Sequence, residues 1–265
     1  MKSTTKIIIL ALGFLCSFAV AGEKKSAESD NWIQLFNGKD LNDWTVKFTN
    51  SELGVNYKDT FRVEDGVLKV SYENYETFNN KFGHIFYNTP YSNYRLRLQY
   101  RFTGEQAAEA PEWAYRNSGI MIHSPAPSAM RFDQAFPVCV EVQLLGGNGK
   151  DERPTGNICS PSSHVTLNGK IDKTHCINST SKTYHGDQWV TAEIEVRGNT
   201  SIKHFINGEL VFDYGGPILD DEDPDAKKLL DAGADKAMSG GYISLQAESH
   251  PVEFRKIELL PLPNS

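Results

Sequence analysis

The chain has 265 residues, 34 acidic against 27 basic, for a formal net charge of -7 at neutral pH. A mildly acidic chain is a poor polyanion binder, which argues against a nucleic-acid partner. Beyond one N-terminal stretch no apolar run is long enough to cross a bilayer, so stable membrane insertion is not expected either.

The first 21 residues read as an export signal. Lys2 and Lys6 give the positive start, Ile7 to Ala21 is uncharged and apolar, and Ala19-Val20-Ala21 offers the small-x-small pattern for cleavage. A lipoprotein anchor at Cys16 is the rival reading, and the bulky Leu15 before it argues against that. The expected location is periplasmic or extracellular. Losing Lys2 and Lys6 takes the charge from -7 to -9. Residues 22–31 are polar and read as a flexible tether. Residues 32–262 then form one expected domain.

Strand signals dominate that domain. Phe61 to Val70 reads as a hairpin turning at Asp65-Gly66. Tyr94 to Phe102 alternates strictly, with apolar or aromatic even positions and Arg95, Arg97, Gln99 and Arg101 at odd ones. Period two means one buried face and one wet or functional face. In Asn117 to His123, Ser118, Ile120 and Ile122 go inward, and Gly119, Met121 and His123 go outward. In Val138 to Leu144 the even positions are apolar, so Cys139, Glu141 and Gln143 share the other face. Glu193 to Arg197 alternates too, and Ile202 to Phe212 reads as a second hairpin around Asn207-Gly208. Tyr242 to Glu248 places Ile243, Leu245 and Ala247 inside, with Tyr242, Ser244, Gln246 and Glu248 outside.

Helical signal is limited to Pro224–Leu230, with Asp223 as its cap. The acidic run at 220–223 lacks calcium-loop spacing and reads as a solvated loop. Cys159 and Cys176 lie in a turn-rich region and could close a loop, whereas Cys139 reads as a lone thiol. Many strands and few helices give an antiparallel all-β sandwich or jelly roll.

Glu141 and His123 are the first candidates for chemistry. Adjacent strands lie only about 4.8 Å apart, so a histidine and a carboxylate on one face could share a proton or a metal ion. No cofactor is legible beyond a divalent ion on that pair. Arg116 and Asn117 at the strand start, with Gln143 and Gln246, suit a sugar's hydroxyls, and Glu248 and His250 stand behind them. Trp113, Tyr115 and Tyr87 are aromatics on which a sugar could stack, while Trp44 and Trp189 read as packing residues. The bland alternative is a solvated polar sheet face, with Glu141 paired to a nearby arginine and Arg255 to Glu253. Both readings stand at this point.

Several ordered motifs sharpen the choice. Leu35-Phe36-Asn37-Gly38-Lys39-Asp40-Leu41-Asn42-Asp43-Trp44, Asn117-Ser118-Gly119-Ile120, Val140-Glu141-Val142-Gln143-Leu144, Gly241-Tyr242-Ile243-Ser244-Leu245-Gln246 and Val252-Glu253-Phe254-Arg255-Lys256-Ile257 resemble the signatures of the 3-keto-disaccharide hydrolase domain family. The resemblance spans about Trp32 to Leu260. It implies a concanavalin-like sandwich of two antiparallel sheets and a secreted bacterial enzyme acting on a carbohydrate substrate. No protein partner is legible. Loops 105–113, 146–182 and 217–239 are long and are expected to rim the site.

Overall fold

The computed structural model describes Met1 and residues 31–263. The expected export signal and tether lie outside the described residues, apart from Met1 and Asn31. Strands are numbered in chain order, and every pairing between them is antiparallel. A ten-stranded sheet runs β11 (Lys170–Asp172), β10 (Ser163–Leu167), β15 (Glu209–Leu219), β14 (Ser201–Ile206), β13 (Val190–Arg197), β6 (Asn93–Phe102), β17 (Val252–Pro261), β4 (Val67–Val70), β3 (Phe61–Glu64), with β1 (Ile33–Gln34) also on β17. A seven-stranded sheet runs β12 (Cys176–Ile177), β9 (Asn157–Cys159), β8 (Val140–Leu145), β7 (Asn117–Ser124), β16 (Tyr242–Ala247), β5 (Gly83–Tyr87), β2 (Trp44–Phe48). This is the all-β jelly-roll sandwich that the alternating segments lead one to expect.

The two inner faces supply one core. β6 gives Tyr94, Leu96, Leu98, Tyr100 and Phe102, and β13 gives Val190, Ala192, Ile194 and Val196. Opposite them lie Ile120 and Ile122 of β7, Val140, Val142 and Leu144 of β8, and Ile243, Leu245 and Ala247 of β16. Val138 departs from the expected face. It precedes β8 and joins a small cluster with Leu219, Ala226 and Met238. The helix α1 (Pro224–Asp231) is capped as expected, with the Asp223 carboxylate accepting from the amides of Asp225 and Ala226. Trp44 packs in the core and donates to the Leu35 carbonyl at 2.9 Å.

The outer face of the ten-stranded sheet is closed by ion pairs. Arg97 meets Glu258, Arg101 meets Glu253, and Arg95 meets Glu193 and Glu195. Arg255 does not partner Glu253. It donates to Gln99 and lies 3.9 Å over the Trp189 ring, because Arg101 already occupies Glu253. Every polar row on this face therefore has its complement across the ladder.

This division predicts unequal costs on neighbouring residues. Leu98→Ala removes a fully buried side chain and is expected to cost about 2–5 kcal/mol in urea unfolding. Arg97→Ala loses one partly exposed pair and is expected to cost about 1 kcal/mol or less. Equal costs would show that the ladder, and not the core, holds this sheet.

Candidate active site

The outer face of the seven-stranded sheet differs sharply from its counterpart. Register puts Lys47 beside His84, His84 beside Gln246, and Gly119 beside Gln143 with Asn157 beyond. One row over, Ser244 pairs with Met121, Met121 with Glu141, and Glu141 with Cys159. Buried polar groups in proteins are nearly all hydrogen-bonded. Here both ring nitrogens of His84, both side-chain polar atoms of Gln246, Oδ1 of Asn117 and Oε2 of Glu248 are buried with no partner in the protein. So concentrated a set of unsatisfied groups marks a place built to hold something polar.

Glu141 reaches this place because Gly119 has no side chain. A Cβ on Gly119 would sit 2.5 Å from Oε1 of Glu141 and 2.8 Å from its Cγ. The carboxyl thus lies folded over the Gly119 backbone. Glu248 follows β16, and Ser249 beside it is tied down on three sides. Its amide donates to the Tyr72 hydroxyl at 2.7 Å, its Oγ accepts from Gln106 at 2.9 Å, and its carbonyl accepts from the Ala107 amide. Those last two bonds also fix the loop that carries Trp113.

Over these groups lies a cavity of about 430 Å³. Asn117, Glu141, Gln143 and Glu248 supply its polar floor. Trp113, Phe136, Pro161, His175 and the Cys159–Cys176 disulfide supply its walls. Gln143 is held through its oxygen, which accepts from Asn157 at 2.9 Å. Gln246 sits just behind, between His84 and β7.

Burial pushes the Glu141 carboxyl up to about 8. Glu248 is raised well above the ordinary range, first by burial and then by the charge of Glu141. Two carboxyls that repel each other in a dry site do not both ionise near neutrality. His84 is driven the other way, to about 3, by burial and by the Lys47 ammonium. It is a neutral imidazole with one donor and one acceptor nitrogen. Lys47 is itself locked, donating to the carbonyls of Phe48, Ser51 and Phe132 at 2.8, 3.0 and 3.0 Å.

Four expected residues lie elsewhere. His123 is not brought to Glu141. On β7 the steps from Met121 to Ser124 face only Ser244 to Tyr242 on β16, so β7 carries one extra residue. His123 takes φ 59° at this bulge, and its Nε2 donates to the Gly198 carbonyl at 3.1 Å. The His123–Glu141 pair therefore cannot share a metal ion. Among the described residues no three His, Cys, Asp or Glu side chains converge as a metal site. Arg116 donates to the Gly186 carbonyl at 2.8 Å and to Asp187 at 3.0 Å, turned toward that loop instead of the cavity. His250 is buried edge-on against Phe102 and Tyr115, its imidazole kept neutral first by burial and then by Arg116 and Arg153. Tyr87 packs on Trp44 and Tyr91, away from the cavity.

The carboxyl placement has a measurable consequence. Between the ordinary value of 4.5 and about 8, the unfolded chain gives up a proton that folded Glu141 keeps. Stability therefore falls as pH rises through that window, by about 1.4 kcal/mol per pH unit for one group. Glu141→Gln is expected to flatten that slope in urea titrations from pH 5 to 8. Gly119→Ala should flatten it too, by forcing the carboxyl off its seat, at a packing cost of about 1–3 kcal/mol. Slopes unchanged from wild type would mean that Glu141 is solvated.

Comparison with known proteins places this geometry. A solved structure from Parabacteroides distasonis, named as a candidate glycosyl hydrolase, aligns with a TM-score of 0.51 at 18% identity, covering 88% of this chain and 100% of that one. A second structure of such a protein from the same organism aligns at TM-score 0.49 and 18% identity, covering 88% and 94%. A carbohydrate-binding module of Bacillus subtilis aligns at 0.47 and 10%, covering 83% and 96%. At these identities the shared feature is the sandwich fold. No curated protein matches the chain. Residues 31–260 match the 3-keto-alpha-glucoside-1,2-lyase-like domain, and the chain belongs to that family.

Proposed function

We propose that this chain is an exported enzyme that cleaves 3-keto-glycosides by elimination across C1 and C2, with water then adding to give net hydrolysis. The observation that carries the reading is the buried carboxyl pair, Glu141 and Glu248, on the floor of a cavity whose lining includes the unpartnered Oδ1 of Asn117 and Oε2 of Glu248. A ketone at C3 acidifies the hydrogen on C2. Glu141, titrating near 8, is poised as the base that removes it. Glu248, raised further by that neighbour's charge, is the acid that protonates the oxygen leaving C1. The C2–H and C1–O bonds break, a C1–C2 double bond forms, and the proton pair ends on Glu141 and the leaving group. Water then returns hydroxyl to C1 and proton to C2, with the two carboxyls exchanging roles.

Between removal of the C2 proton and loss of the group at C1, negative charge sits on the C3 oxygen. Preorganised donors in a dry site stabilise such charge strongly. Gln246 and neutral His84 are the unsatisfied donors in the adjoining row. Asn117 and Gln143 suit the sugar's hydroxyls, and Trp113 offers a ring for its apolar face. His123, Arg116 and His250 have no part in this scheme, for the reasons of position given above. Residues 1–21 as an export leader fit the same reading, and the Cys159–Cys176 disulfide supports an oxidising compartment. No described helix is long and apolar enough to cross a membrane.

The same two carboxyls raise a second reading, a glycosidase acting on unoxidised sugars. A retaining enzyme needs one carboxylate ionised as nucleophile. The elimination likewise needs one ionised carboxyl, as its base, so the substrate decides between the two readings. The deciding experiment supplies 3-keto-disaccharides and plain disaccharides in parallel and measures released sugar. Turnover is expected on the keto forms alone. Glu141→Gln and Glu248→Gln are each expected to lower kcat by about 10²–10⁴. Release from plain sugars would establish the glycosidase, and binding without release would establish a carbohydrate-binding module.

A further inference from the structure

The cavity over Glu141 does not stand alone. On one side it shares Phe136, Pro161 and His175 with a compartment of about 610 Å³. On the other it shares Trp113 with a compartment of about 810 Å³. The three adjoin at these shared residues, and the middle one holds the carboxyl pair.

An aromatic shelf links them. Trp113 stacks on Phe82 with centroids 6.0 Å apart and planes at 13°. Phe82 touches Phe136 at 4.9 Å. Trp113 is 56% exposed, unusual for the largest apolar side chain unless something covers it. The flanking compartments combine apolar surface, Tyr115 in one and Ala135 in the other, with polar side chains. The first offers Gln134, Ser160, Ser162, His164 and Lys173, and the second offers Gln106, Glu112, Asn148, Lys150 and Arg153. Flat apolar rings beside many donors and acceptors match sugar rings, which have apolar CH faces and hydroxyl edges. Several of those groups are held in place by the protein, Gln134 by Arg131 and Phe136, Asn148 by Asp151, and Arg153 by Gly146 and Tyr115, so they form a fixed polar edge beside the rings.

We propose that the cleft binds an oligosaccharide of at least three rings, with the ring to be cleaved over Glu141 and Glu248 and further rings on both sides. The proposal rests on the catalytic reading for the placement of the central ring. The side compartments themselves are independent of the chemistry. An enzyme so built acts within a chain, and its substrate carries glycosyl groups on both sides of the reacting ring. Trp113 stands at one boundary and sets the length preference.

Binding tests this apart from turnover. Glu141→Gln protein is titrated calorimetrically with plain α-linked and β-linked gluco-oligosaccharides of two, three and four rings. In at least one series Kd is expected to drop about tenfold or more from two to three rings, the equivalent of about 1.4 kcal/mol. Adding Trp113→Ala should bring the three-ring to two-ring ratio close to one. If that variant fails to fold, Lys150→Ala with Asn148→Ala removes donors from the same compartment and should reduce the ratio. Equal Kd values across lengths in both series, or no binding in either, would overturn the proposal. A ratio that survives these substitutions would do so as well. Failure of 3-keto-sugar turnover with the length gain intact would overturn the catalytic reading alone.

Discussion

Taking a carboxyl group out of water disfavours its charged form, and a second carboxyl nearby adds repulsion to that penalty. Burial raises Glu141, and burial followed by the charge of Glu141 raises Glu248. The rest of the site accommodates both. Gly119 leaves room for the first carboxyl, and the bonds around Ser249 hold the chain that carries the second. Trp113, Phe136 and Pro161 wall the cavity over both. Such a pair holds a proton at neutral pH and can still release one, which suits paired proton transfer.

The sandwich has two outer faces, and their contrast locates function without reference to any relative. On the ten-stranded sheet each arginine of β6 has a glutamate on β13 or β17. Along β6 that face is paired row by row. The seven-stranded sheet carries both ring nitrogens of His84, both polar atoms of Gln246, Oδ1 of Asn117 and Oε2 of Glu248, buried without partners in the protein. Folding alone would select against such groups, since each costs about 1–3 kcal/mol. On the proposed function, a bound sugar completes them.

Much of this was legible in strict alternation. Period two placed Glu141, Gln143, Gln246 and Glu248 away from Ile120, Val142 and Leu245, and the ladder brings their strands together. The same rule misplaced His123. One extra residue in β7 reverses the parity beyond Met121, and periodicity carries no sign of a bulge. His84 escaped for the opposite reason. Its strand, Gly83–Tyr87, is buried on both faces, so no polar face announces itself. Arg116 and His250 went astray because loop residues, Asp187 and Tyr115 among them, decide what they meet. The cavity walls come from loops, where spacing carries no geometric information.

That division separates the chemistry from the choice of substrate. The carboxyls, Gln246 and His84 stand on or directly beside strands in the body of the sheet, where register fixes them. The walls and flanking compartments come from segments 105–113, 131–136 and 146–182, with 220–225 at the far end. Each is tethered near the site without being part of its floor. The disulfide holds Cys176 against Cys159, directly across from Glu141, and so keeps His175 in the wall. Gln106 and Ala107 bind Ser249 and so keep Trp113 at the cavity edge. A rigid sheet can therefore keep one proton-transfer geometry while its tethered loops change in length and composition. The physical expectation is that the reaction varies little wherever Gly119 and the two carboxyls are retained, and that the length and linkage of the sugar vary with the loops.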